Sequence, residues 1–179
     1  TNGNNFTGRG AVLYKQDKFD IELNGSYRNY GDYTDGNGDE VPSSFTSTDY
    51  SVKLGLLPTE DQRIRLTWRQ SFGRDIKHAG LPMDSPYDDS YLLGLDYKIQ
   101  NISESVSSFM IKGFYSDVDH LMTNEERPNY KMVEAVANVF VTTWGGKTEL
   151  TLNPSDESIL YLGADANIIS REGDRVRTI

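Results

Sequence analysis

Apolar and polar residues alternate with a period of two along most of this chain. The clearest stretch sets Phe19, Ile21, Leu23, Gly25 and Tyr27 against Asp20, Glu22, Asn24, Ser26 and Arg28. Successive side chains of an extended backbone point to opposite faces, so this is a strand with one apolar and one polar face. The pattern returns at Tyr50, Val52, Leu54 and Leu56, at Ile64, Leu66 and Trp68, and at Tyr91, Leu93, Leu95, Tyr97 and Ile99. It continues at Phe109, Ile111, Gly113 and Tyr115, at Leu150 and Leu152, and at Leu160, Leu162, Ala164 and Ala166. Arg9 to Lys15 reads as a further strand whose parity is ambiguous. The pattern predicts an all-β antiparallel meander of about eight strands and no helix.

The connections carry a second signal. Short ones fall around Asp17-Lys18, Pro58 to Gln62, Asn101 to Glu104 and Asn153 to Glu157. Long polar ones run from Gly31 to Phe45, Arg74 to Asp88, and Asp119 to about Asn138. Short and long alternate strictly, as periplasmic turns and extracellular loops do in a membrane barrel. Strands of about ten residues, apolar outward and polar inward, satisfy every backbone group in lipid only if the sheet closes. Tyr14, Tyr27, Tyr50, Trp68, Tyr91, Tyr97 and Trp144 fall near strand ends, where interfacial girdles sit. A soluble all-β domain with one wetted face explains the alternation equally well, but not the loop asymmetry. By the loop rule the Ser158–Ile169 strand runs outward and Arg171-Glu172-Gly173-Asp174 lies in an extracellular loop. The sequence then ends outside or just entering a ninth strand, whereas a complete bacterial barrel has an even strand count and closes on the periplasmic side, so the expectation is one partial barrel domain over residues 1–179, part of a larger transmembrane β-barrel.

Composition narrows the classes. The net charge is -9 over 179 residues, which argues against nucleic acid as a partner, because phosphates call for a basic surface. Cysteine is absent, removing disulfides, thiolate metal sites and a cysteine nucleophile. No run of eighteen apolar residues occurs, so a helical membrane span is excluded. With two histidines and no serine elbow or metal-hydrolase spacing, nothing suggests an enzyme.

Ala79-Gly80-Leu81-Pro82-Met83-Asp84, followed by Asp88-Asp89 and Leu93-Gly94-Leu95-Asp96-Tyr97, resembles TonB-dependent receptors of the outer membrane. Val118-Asp119-His120-Leu121-Met122-Thr123-Asn124, Arg127-Pro128 and Met132 continue the similarity. So do Trp144-Gly145-Gly146-Lys147 with Glu149-Leu150, and Leu162-Gly163-Ala164-Asp165. Within that superfamily these segments look most like the copper-transporting, OprC-like branch, and the similarity spans most of the chain beyond Asp49. The resemblance implies a large barrel in the bacterial outer membrane, in contact with its lipid and plugged by an N-terminal domain. Such a receptor imports a metal ion or metal chelate with energy relayed by the TonB complex through the plug. No resident cofactor is implied; copper or a chelate is the cargo. Neither the plug nor the TonB-contacting segment lies in this sequence, and Thr1 to Asp39 shows little similarity.

His120 and Met122 stand out as candidate metal ligands. Residues i and i+2 of a strand share a face, and the parity opposite Phe109, Ile111, Gly113 and Tyr115 carries Met110, Lys112, Phe114, Ser116, Val118, His120 and Met122 inward. Imidazole and thioether form a soft pair that suits copper better than hard cations. The resemblance adds that a His-x-Met pair near this place contributes copper ligands, matched by His120-Leu121-Met122, and that the remaining ligands come from a plug Cys-and-Met motif. The bland alternative is a solvated loop histidine beside a packing methionine. His78, Met83 and Met132 are second-rank candidates, because both histidines and three of the four methionines fall in the long connections. Arg63, Arg65 and Arg69 line one strand's polar face; they suit an anionic chelate, or simply a lumen wall balanced by acids on neighbouring strands. Asp35-Gly36-Asn37-Gly38-Asp39-Glu40 starts like a calcium loop, but Glu40 replaces the required Gly and Thr46 the bidentate Glu, leaving a polar loop tip.

These readings favour a barrel piece of a TonB-dependent receptor for a metal, with copper preferred. An iron-siderophore receptor is the alternative within the family, and a soluble lectin-like glycan-binding module the alternative outside it. The last two classes part on one feature: a barrel shows its apolar positions as one continuous outward belt, whereas a sandwich buries them against a second sheet.

Overall fold

The computed structural model describes residues 3–179, and one antiparallel sheet dominates it. Its strands are β1 (Phe6–Lys15), β2 (Phe19–Tyr30), β5 (Phe45–Thr59), β6 (Gln62–Ile76), β7 (Asp84–Gln100), β8 (Val106–Thr123), β9 (Glu134–Ser155) and β10 (Ser158–Thr178). Two short strands, β3 (Tyr33–Thr34) and β4 (Glu40–Val41), pair in the connection between β2 and β5. Each long strand pairs with its neighbours in sequence, and β1 and β10 are the two edges of the eight-stranded sheet. The sheet is therefore an open meander. Among the described residues no helix is long and apolar enough to cross a membrane, which says nothing about strands.

Strand register gathers the apolar positions. Val12, Leu23, Val52, Trp68, Leu93, Tyr115, Trp144 and Ile168 are successive partners across all eight strands. The adjacent row holds Tyr14, Ile21, Leu54, Leu66, Leu95, Gly113, Gly146 and Ala166. This also settles the ambiguous first strand, where Val12 and Tyr14 join the apolar face and Leu13 the polar one. The belt faces outward: Leu23, Leu54, Leu95, Ile111 and Leu162 are all exposed. Aromatic rings interlock along it, with Tyr115 at 4.6 Å from Trp144 and 6.3 Å from Tyr91, and Tyr50 at 5.3 Å from Trp68.

Burial is inverted relative to a water-soluble domain. Among the described residues the buried apolar side chains are Met83 and Ala135, whereas Asp20, Ser47, Asp84, Ser85, Asn124 and Thr151 are buried polar ones. A sandwich would bury the belt against a second layer; among the described residues no layer covers it. The opposite face is a cross-linked polar wall. Arg63 donates to Asp20 at 2.7 Å, Lys53 to Glu22 at 2.9 Å, and Arg28 to Asp49 at 3.1 Å. Gly55, paired with Asp20, leaves room for that carboxylate: a Cβ there would lie 2.5 Å from Asp20 Oδ2.

Two expectations need correction. The strands run 10 to 22 residues rather than about ten. Arg171, Glu172, Gly173 and Asp174 accordingly sit within β10, paired to Val141, Phe140, Val139 and Asn138, not in a loop. Hydrogen bonding between strands does not require apolar side chains, so the sheet continues where the alternation of hydropathy has already faded. The long connections shrink to 31–44, 77–83 and 124–133, yet all three remain on one end of the sheet, with the short turns on the other.

Candidate metal centre

The loop-bearing end holds both histidines. His120 and Met122 lie in β8, not in a connection, and share the polar face by strand alternation. His78 and Met83 lie in the 77–83 connection, and Met132 follows a single 3-10 turn at Pro128–Lys131. Met83 is buried, whereas Met132 is 70% exposed.

Register brings Asp88 of β7 opposite His120. Asp88 Oδ2 lies 3.0 Å from His120 Nδ1. Farther along β7 the pairing with β8 slips between Asp84 and Tyr87, at Ser85-Pro86, where proline has no amide to donate. A bulge re-aims side chains. Strict alternation would send Ser85 outward with Tyr87 and Asp89; instead its Oγ lies 3.4 Å from His120 Nε2. The same oxygen lies 3.0 Å from His78 Nε2. Ser85 is fully buried, so both histidines meet on a hydroxyl shielded from water.

His78 is held through its backbone. Its amide donates to Asp84 Oδ1 at 3.0 Å, and its carbonyl accepts from Arg127 Nη2 at 2.7 Å. Arg127 is also paired with Asp84, both side chains being largely buried, and Lys77 is paired with Glu126. Buried Asn124 closes the 124–133 loop, donating to Val133 O at 2.7 Å and accepting from the Ala135 amide at 2.8 Å. The 31–44 connection joins this assembly where the Lys77 amide donates to Ser44 O at 2.8 Å. Within that connection the Ser43 and Ser44 amides donate to Asp32 and hold its carboxyl below the usual carboxylate range. Asp35 caps its own turn, accepting from Asn37 and Asp39 amides, as a polar loop tip does.

The remaining expected residues lie apart. Lys112, 3.9 Å from Asp96, is eight residues down β8 from His120, about 26 Å along an extended strand. Arg63, Arg65 and Arg69 line the polar face of β6; among the described residues Arg63 alone of the three forms an ion pair. Arg69 borders an open concavity of about 770 Å³ with Arg9, Arg28 and Lys53. Among the described residues no three His, Cys, Asp or Glu side chains converge to hold a metal ion. What the site offers is two imidazoles on one hydroxyl, with a thioether two residues along the same strand face.

Sequence reading missed Ser85, Asp88, Asp84 and Arg127. Asp88 was within reach: sliding the belts of β7 and β8 together at Leu93 and Tyr115 places it opposite His120. Ser85 was not, because the bulge reverses its parity.

Comparison with solved structures bears on the fold. The chain superposes on a copper transporter, OprC, with a TM-score of 0.89 and 25% identity over 96% of its length. In fold it is one stretch of an OprC-like barrel wall. That stretch corresponds to 27% of the transporter's chain. An iron transporter, FrpB from Neisseria meningitidis in its apoprotein form, matches with a TM-score of 0.70 and 16% identity, over 93% of this chain and 29% of that one. This second likeness speaks for the fold alone. No protein-family model matches the sequence, and no curated protein does. His120, Asp88 and Ser85 lie together on the polar face at the loop-bearing end of this wall.

Proposed function

We propose that this chain is a wall segment, over residues 1–179, of a TonB-dependent receptor of the bacterial outer membrane that takes up a metal ion or metal chelate. Copper is the preferred cargo, and the TonB complex would act through a plug that fills the lumen. One observation carries the reading: β8 holds imidazole and thioether two residues apart, at His120 and Met122, on the polar face of a wall most of which superposes on a copper transporter. That donor pair suits a soft cation.

Iron-chelate uptake has its own support. Arg9, Arg65 and Arg69 form no ion pair among the described residues, whereas Arg28 and Lys53 are balanced by Asp49 and Glu22, so these three arginines are the positive charge that an anionic chelate could meet on the polar wall.

The test is copper stoichiometry and affinity of the full-length protein in detergent. His120→Ala and Met122→Ala should each weaken binding, with folding nearly unaffected. Lys112→Ala, deep in the wall, should leave affinity unchanged. Unaltered binding in the double variant removes the copper site and leaves iron-chelate uptake as the function.

A further inference from the structure

His120 has two ring nitrogens with different neighbours. Nδ1 faces Asp88, and a carboxylate only accepts hydrogen bonds, so Nδ1 carries the proton, and in the neutral imidazole Nε2 keeps its lone pair. A carboxylate on one imidazole nitrogen is the usual device for presenting the other to a metal. The Ser85 hydroxyl lies 3.4 Å from Nε2, and toward that neutral imidazole it is the donor. Ser85 Oγ then accepts from His78 Nε2. The order is His78 to Ser85 to His120 to Asp88, so one buried oxygen lies between the only two imidazoles of the chain.

A purely structural role would need neither imidazole in this order. A serine at a bulge can bond to any backbone carbonyl. Here a proline-containing bulge turns Ser85 inward, and Asp84 and Arg127 grip the His78 backbone from its two sides. The 77–83 connection is thereby fixed so that His78 reaches across β7 to the row of His120.

We propose that His78 and His120 are the paired imidazole ligands of one transition-metal site at the lumen mouth, with Ser85 occupying their nitrogens when no ion is bound. Asp88 is the positioning residue for His120, and the Arg127–Asp84 pair positions His78. Binding breaks both Ser85 hydrogen bonds; the His78 proton moves from Nε2 to Nδ1, freeing Nε2 for the ion. Imidazole pairs suit copper and zinc, so the site accepts Cu(II) or Zn(II), and Met122 on the same strand face adds preference for Cu(I). The inference rests on the uptake reading, but its ligand, His78, is independent of Met122.

The experiment uses the full-length protein in detergent, loaded with one equivalent of Cu(II) and read by electron paramagnetic resonance, with Zn(II) affinity by calorimetry. Two coordinated imidazole nitrogens are expected in the wild type and one in His78→Ala, with Zn(II) affinity lowered at least about ten-fold. Ser85→Ala removes the competing hydroxyl and keeps both imidazoles, so Zn(II) affinity should hold or tighten. A single imidazole in the wild type, or unchanged Zn(II) affinity in His78→Ala, overturns the pair. Loss of Zn(II) binding in Ser85→Ala, with thermal unfolding in detergent unchanged, also overturns it, because the hydroxyl would then be a ligand itself. Met122→Ala, read with Cu(I) alone, separates the two ideas. Unaltered Cu(I) affinity there defeats the imidazole–thioether copper reading while the nitrogen count still decides the pair.

Discussion

Asp88 and His120 are register partners on neighbouring strands, and Oδ2 of the first lies 3.0 Å from Nδ1 of the second. Their contact is built into the sheet. The same register that aligns Leu93 with Tyr115 in the belt aligns this carboxylate with this imidazole five residues farther along each strand. Asp88→Asn keeps the shape and removes the charge, so His120 loses its fixed tautomer. Copper affinity of the full-length protein should fall about ten-fold, with thermal unfolding unchanged. Equal affinities in a calorimetric titration would show that Asp88 has no part in the site.

Arg127 and Asp84 form the buried ion pair that joins the 77–83 and 124–133 loops. Removing Arg127 takes away the nearer cation of a largely buried carboxylate, leaving Asp84 with the His78 amide at 3.0 Å and Lys77 at 3.9 Å. Arg127→Ala should therefore loosen the loops locally, leaving the belt strands intact. Hydrogen exchange should show faster amide turnover over 77–85 and 124–135 and none added in β5 or β6. Unchanged protection at the His78 amide would mean that Arg127 does not hold that loop.

Asp32 gives the 31–44 connection an acid limit. Its carboxyl is held low chiefly by the Ser43 amide, with Ser44 adding to it. A depressed carboxyl contributes stability in full above the ordinary carboxylate range and loses it as pH falls through the lower, folded value. The Asp32 side-chain carbon should titrate below the usual aspartate midpoint by NMR. Asp32→Ala should abolish the acid-dependent shift of the Ser43 and Ser44 amides. An ordinary midpoint would contradict the bonding seen here.

The outward belt has a consequence for handling. Expressed as residues 1–179 alone, the chain exposes a continuous apolar face and two unpaired strand edges, so it should aggregate in water and disperse only in detergent. A monodisperse monomer that unfolds cooperatively without detergent, shown by light scattering and calorimetry, would contradict the membrane assignment.

Hydropathy alternation by itself determined the meander, the two faces and the side of the sheet that carries the long connections. These are local properties: each depends on residues a few positions apart and on the fixed period of an extended backbone. It also determined that His120 and Met122 share a face. The tertiary structure alone decided where the strands stop, because pairing beyond the belt is carried by backbone groups common to every residue. It alone brought His78 to His120, forty-two positions away, through a serine whose direction a proline-containing bulge had reversed. A period-two pattern holds no record of a one-residue slip, since the slip changes which face a side chain joins without changing the sequence around it.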